Sequence, residues 1–111
     1  MMSKVLTRKQ TTARRKAAEK RVRTAAMEAV DERDGERCRI CGCSFSEFDL
    51  LRQPHHHHII YRSRGGLDTP SNIVLICAHC HEFVHRSGKL RLRGDATALI
   101  VERFIDGEWH G

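Results

Sequence analysis

The chain is short of several things at once. Its 111 residues include only four Phe, one Tyr, one Trp and two Pro, and no apolar run is long enough to span a bilayer. So few large apolar side chains imply a small core, and a core of that size calls for a staple. The first residues are polar and basic without an apolar h-region, so a secretory leader is not expected and the cysteines are read for a reducing compartment. Acidic residues are scarce where the chain starts. Residues 1–30 hold nine Lys or Arg, Lys4 among them, against Glu19 and Glu28, so they carry +7 where the whole chain carries +6, and the rest is close to neutral at −1. A basic arm before a near-neutral domain points to a polyanion, nucleic acid above all, and away from a membrane; a solvated helix face is the equally weighted bland reading.

Against these absences stand five cysteines and eight histidines. An odd cysteine count with paired spacing favours a metal over disulfides. Cys38-x-x-Cys41 and Cys77-x-x-Cys80 together supply the four thiolates of a structural Zn²⁺. Cys43 could replace Cys41 in that set; the repeated spacing favours Cys38 with Cys41 and leaves Cys43 as a spare thiol. The histidines cluster in the run His55-His56-His57-His58 and at His81 and His85. On a helix after Cys77, neighbours point about 100° apart and residues four apart share a face. Cys80 can then face the thiolates while His81 and His85 face elsewhere together. A third imidazole from a strand would complete an open site with three protein ligands. His57 and His58 point to opposite sides of such a strand, so one can be a ligand and the other a base.

The rest of the chain gives a coarse α+β outline. Met1–Thr12 lacks periodicity and is expected to fray. A helix from Ala13 carries the stripe Ala18, Val22, Ala25 and Ala29, and Gly35 is expected to end it in the left-handed conformation. Ser44–Gln53 is read as a loop whose Phe45, Phe48, Leu50 and Leu51 pack on the core. His55–Tyr61 and Asn72–Ile76 read as strands flanking a Gly65-Gly66 loop. Lys89–Gly94 alternates like an edge strand, with residues 98–105 as its partner and Asp106-Gly107 as a turn. Lys89, Arg91 and Arg93 would share one basic face, to which no chemistry is assigned. The domains expected are a basic arm over 1–30, a metal-stapled domain over 31–88, and a β-hairpin-like extension over 89–111.

From Val30 to Arg86 these residues resemble the HNH nucleases, also called ββα-metal or His-Me finger endonucleases. The likeness is carried by His57-His58-Ile59-Ile60, Arg64-Gly65-Gly66, Asn72, Cys77-x-x-Cys80-His81 and His85. It implies a small α+β fold, a ββα-metal finger with a four-cysteine zinc knot of Cys38, Cys41, Cys77 and Cys80, preceded by a basic helix. It further implies that His58 is the general base, that Asn72 braces the hairpin, and that His57, His81 and His85 hold a catalytic divalent ion. Mg²⁺, Mn²⁺ or Ni²⁺ would serve, and three imidazoles tolerate Zn²⁺ as well. The implied activity is hydrolysis of DNA phosphodiesters to 5′-phosphate and 3′-hydroxyl ends, in the cytoplasm of a bacterial or phage-infected cell. Arg62 and Arg64, with Arg14, Arg15, Lys16 and Arg21 on the arm, are the expected DNA contacts. Tyr61 stands where the family often has proline. The histidine run also admits a register shifted by one, with His56 as ligand and His57 as base. The competing class is a non-catalytic zinc module that binds nucleic acid, from which only His58, Asn72 and the histidines outside the thiolate set distinguish a nuclease.

Overall fold

A computed structural model describes residues 5–111; the opening stretch Met1–Lys4, including the Lys4 counted in the basic arm, lies outside the described residues. The first element is a 27-residue helix, α1 (Arg8–Asp34). It starts five residues before the expected point because Thr7 and Gln10 form a capping box. The Thr7 hydroxyl accepts from the Gln10 N–H while the Gln10 side chain accepts from the Thr7 N–H. Two donors that a helix start leaves orphaned are thereby satisfied, so residues 8–12 do not fray.

The expected docking stripe on α1 is wrong. Ala18, Val22, Ala25 and Ala29 are not buried, and the buried residues are Ala26, Val30 and Asp34, one face at i, i+4 and i+8. Asp34 selects that face. Its carboxylate accepts from Arg33 (2.7 Å) and Arg39 (3.0 Å) and from the Leu75 backbone N–H (3.3 Å). Burial alone would raise its pKa, but the two guanidiniums and the N–H hold it below the ordinary carboxylate value. Arg33 also donates to the Pro70 and Ile73 carbonyls. The helix end is thus tied to the sheet by charge as well as by Val30. Gly35 closes the helix in the right-handed region (φ −60°), not the left-handed one, and a Cβ there would collide with the Asp31 carbonyl oxygen.

Two short strands follow, β1 (Pro54–His58) and β2 (Ile73–Cys77), paired antiparallel with His57 opposite Val74 and His58 opposite Ile73. Every residue of β2 is buried. Its alternation splits the core in two: Ile73 and Leu75 meet Ala26 and Val30 of α1, while Val74 and Ile76 meet Ile59, Val84, Leu90, Leu92 and Ala96. At about 1.5–3 kcal/mol per fully buried aliphatic side chain, β2 is the main hydrophobic anchor of the molecule. Phe45 bridges both clusters. Phe48, Leu50 and Leu51 do not pack; they are exposed around a 3-10 turn at Leu50–Arg52 that Asp49 caps.

After β2 come α2 (Ala78–Glu82) and a π-helical turn, Phe83–Ser87. The chain ends in a three-stranded antiparallel sheet, β3 (Leu90–Gly94), β4 (Leu99–Ile105) and β5 (Glu108–His110), in the order β3-β4-β5, one strand more than a hairpin. The fold is small α+β, with a long helix ahead of antiparallel strands. No helix among the described residues is long and apolar enough to cross a membrane.

Candidate active site

Two clusters of metal-ligating atoms form around the β2–α2 segment. The sulfurs of Cys38, Cys41, Cys77 and Cys80 all lie within 4.8 Å of one another, and so do ring nitrogens of His57, His81 and His85. α2 accounts for both. Cys80 turns inward from it while His81, one residue on, turns away, and His85 follows one turn later on the side of His81.

In the thiolate cluster three of the four cysteines are buried, and Cys41 is exposed. Cys38 accepts from the N–H groups of Ile40 (3.4 Å) and Cys41 (3.5 Å), and Cys77 accepts from that of Cys80 (3.4 Å). Backbone donors aimed at sulfur favour the thiolate a metal needs. The Cys41 and Cys77 sulfurs are 3.8 Å apart. Two corners of a tetrahedron with Zn–S bonds of about 2.3 Å would be separated by roughly the same distance, so the donor set fits Zn²⁺. Cys43 lies half-buried against the core, and its thiol is pushed up to about 12, first by burial and then by hydrogen bonds with Cys41 and Cys77.

The imidazole cluster is graded in exposure: His57 buried, His81 half-buried, His85 exposed. Ring centroids are 4.3 Å apart for His81 and His85 and 5.2 Å for His57 and His85. Burial pushes His57 down to about 4, with the neighbouring His85, His81 and His58 adding to the effect, and burial also lowers His81. Unprotonated imidazole is the form that binds a cation. His55 stacks on His81 at 4.8 Å, and His56 bonds Asp31 of α1 at 2.6 Å. The shifted register therefore has no support, because His56 faces the helix and His57 faces the other two imidazoles.

His58, on the opposite side of β1 from His57, is half-buried and its Nε2 lies 2.7 Å from Asp68 Oδ1. Arg62 stands 3.5 Å from the same carboxylate oxygen. Asn72 is buried and knits the loop between the strands. Its side chain accepts from the Ile60 N–H (2.9 Å) and donates to the Ile60 and Leu67 carbonyls (3.0 Å each). Gly66 must be glycine, since a Cβ there would strike the Ile60 carbonyl oxygen. The loop is therefore held from both ends at the residues that follow His58.

Beside His57 opens a cavity of about 380 Å³, lined also by Tyr61 and Arg64 and by Arg91 and Arg93 of β3. Tyr61 stacks on His85 at 5.6 Å, and the Arg64 guanidinium lies 5.8 Å from the Tyr61 ring. Arg64 thus stands beside the imidazole cluster, whereas Arg62 stands beside the Asp68 carboxylate that bonds His58. Arg14, Arg15, Lys16 and Arg21 are exposed on the part of α1 that precedes its first buried residue, Ala26. Sequence reasoning missed Asp68 as a partner of His58 and missed β3 as a wall of the cleft.

No curated protein and no solved structure matches the chain. Residues 38–87 match the family model described as HNH endonuclease, a span that takes in both cysteine pairs, the histidine run, Asn72 and His85. With the thiolate and imidazole clusters described above, that match identifies residues 38–87 as an HNH endonuclease domain.

Proposed function

We propose that the protein is a metal-dependent endonuclease that hydrolyses DNA phosphodiester bonds, with His58 as general base, His57, His81 and His85 as the holders of one divalent ion, and Cys38, Cys41, Cys77 and Cys80 as the holders of a structural Zn²⁺. The observation that carries it is the pairing of a closed thiolate cluster with a separate, graded cluster of three imidazoles, since a zinc-stapled binding module needs only the first. In this reading residues 1–30 are a substrate-binding arm, 31–88 the nuclease domain and 89–111 an extension. Mg²⁺, Mn²⁺ or Ni²⁺ fits the second site, and the bound ion would supply Lewis-acid stabilisation of charge at the scissile phosphate and the 3′ oxygen.

The chain's own residues do the rest. When the Asp68 carboxylate accepts from His58 Nε2–H, the tautomer is fixed and Nδ1 is left as the acceptor for a proton from water. Asp68 is a positioning residue in this scheme. Asn72 holds the Ile60 backbone on both its N–H and its carbonyl, which fixes the chain just beyond His58. Arg62, Arg64 and the basic face around Arg14, Arg15, Lys16 and Arg21 contact phosphates without reading sequence.

A plasmid-nicking assay with zinc-loaded protein, with and without added Mg²⁺ or Mn²⁺, tests the reading. Wild type should nick only with the added ion, and His58→Ala should lose roughly 10²–10⁴-fold in rate while its circular dichroism is unchanged. Asp68→Asn should fall between the two, about 10–100-fold down, with substrate affinity retained. Metal-dependent binding without cleavage across single- and double-stranded substrates would instead favour the non-catalytic module.

A further inference from the structure

The terminal sheet has no place in the scheme above, yet β3 forms a wall of the cavity beside the imidazoles. Three guanidiniums line that cavity, Arg64 from the loop after β1 and Arg91 and Arg93 from β3, and no carboxylate does. The two β3 arginines are two residues apart on an extended strand and so share a face. Both lean on one acid. Arg91 Nε donates to Glu102 Oε1 at 3.0 Å and its Nη2 to Oε2 at 3.4 Å, and Arg93 Nη1 reaches Oε1 at 3.4 Å. The Arg91 guanidinium also lies 4.0 Å over the Trp109 ring, which fixes its plane.

A purely structural staple would balance its charges. Here two arginines share one carboxylate, so one positive charge is in excess, and Arg64, which lines the same cavity, adds a second. Arg91 Nη1 and the Nε and Nη2 of Arg93 make no hydrogen bond among the described residues. The result is a set of planar donors, held in orientation by a neighbouring acid and ring, on a cleft that His57 also lines. Planar guanidinium donors at fixed geometry match the two non-bridging oxygens of a phosphodiester. The volume, about 380 Å³, is near the lower end of the roughly 300–1,000 Å³ of small-ligand sites, which suits one stretch of backbone and not a duplex.

We propose that this cavity is a groove for the phosphodiester backbone of a nucleic-acid strand, with Arg64 on one wall and Arg91 and Arg93 on the other, so that the terminal sheet is half of the substrate-binding surface. The proposal rests on the nuclease reading for its substrate class, but it is tested by binding alone. The phosphate held here flanks the one being cut, and the strand enters or leaves the imidazole site between β3 and the Tyr61–Arg64 segment.

The test is the affinity of zinc-loaded, full-length protein for a duplex and a single-stranded oligonucleotide across a salt titration without added Mg²⁺ or Mn²⁺. Arg93→Gln, at an exposed position, and Arg91→Gln should each weaken binding about 5–10-fold near 100 mM salt and flatten the slope of log K against log salt by about 0.7–0.9. Arg93→Glu should weaken it further, while Arg37→Gln, which removes the same charge beside the cysteine loop, should change affinity less than about 2-fold. Thermal unfolding of each variant keeps the fold in view, and Arg93→Gln carries the test if Arg91→Gln unfolds. Affinity and slope unchanged in both Arg93 variants, or a loss in Arg37→Gln equal to that in Arg93→Gln, would overturn the groove. Wild type that binds in this way yet cuts nothing would sink the nuclease reading and leave the groove standing; wild type that cuts while its Arg93 variants bind normally would do the reverse.

Discussion

The two ligand clusters share one strand and one short helix, and they are built differently. The sulfur cluster is closed: three of its members are buried, backbone N–H groups point at its sulfurs, and the larger half of the core packs around it. The nitrogen cluster is anchored at one end by buried His57 and open at the other, where His85 is exposed and Tyr61 stacks on it. The same segment therefore offers a metal two environments, one mostly buried, with Cys41 alone exposed, and one open to water along the side of His85. That difference is the expected one between a metal that holds a fold and a metal that meets a substrate.

The strongest way to break this contrast is to exchange the consequences of losing a ligand. Cys77→Ser, or chelation of the zinc, should leave the protein unfolded at 25 °C, because structural zinc in domains this small supplies on the order of 10 kcal/mol of folding free energy. His85→Ala should keep a cooperative thermal transition within a few degrees of wild type while abolishing nicking. A His85→Ala protein that fails to fold, or a Cys77→Ser protein that still melts cooperatively, would show that the division of labour is wrong.

Acid should sharpen the same contrast at a smaller scale. His57 titrates near 4 in the folded protein, below the ordinary 6.5, because burial and neighbouring imidazoles disfavour its charged form. The unfolded chain therefore binds this proton first, and the stability His57 contributes is intact above pH 6.5, declines as pH falls toward 4, and is fully lost below that. The change amounts to roughly 3 kcal/mol. The difference in unfolding free energy between wild type and His57→Asn, followed from pH 7 to 4, should shrink by about that amount; a difference independent of pH would remove His57 from the buried position described.

The smallest effect belongs to Cys43. It touches the sulfur cluster from outside the set of four, so Cys43→Ser should retain one zinc per chain at the sulfur site and cost no more than about 1 kcal/mol. Loss of that zinc would promote Cys43 to a ligand in place of Cys41.

Much of the candidate site was legible in the sequence because its ligands are local. Cys-x-x-Cys and His-x-x-x-His place their atoms through the geometry of one loop or one turn, whatever surrounds them. Two strands around Gly65-Gly66 were readable, but β1 spans Pro54–His58 and ends short of the expected Tyr61, so the Ile59, Ile60 and Tyr61 that suggested the strand lie just beyond it. The contacts that sequence reading missed are carried by residues whose meeting depends on the folded loop or on a distant strand. Asp68 reaches His58 only because Asn72 folds the loop back, and Arg91 reaches the cleft only because β3 lies against the π-helical turn. The docking face of α1 was misread for a related reason. Alanines are most frequent on the sides of that helix away from Val30 and Asp34, so periodicity in small residues pointed to the wrong face, and an acid bonded to Arg39 and Leu75 chose the right one. Phe48, Leu50 and Leu51 looked like core by composition, but the Asp49-capped turn leaves them in solvent.

Asp34 also sets the mechanics of the long helix. It clamps α1 at its last residue, and the next buried positions are Val30 and Ala26, so about 18 residues project beyond the last packed turn. At 1.5 Å per residue this is an outrigger of roughly 27 Å, not far short of one turn of B-form duplex. A polyanion lying along it would meet positive charge well beyond the edge of the cleft, and the length of strand protected from a probe would exceed what the metal-binding unit alone could cover.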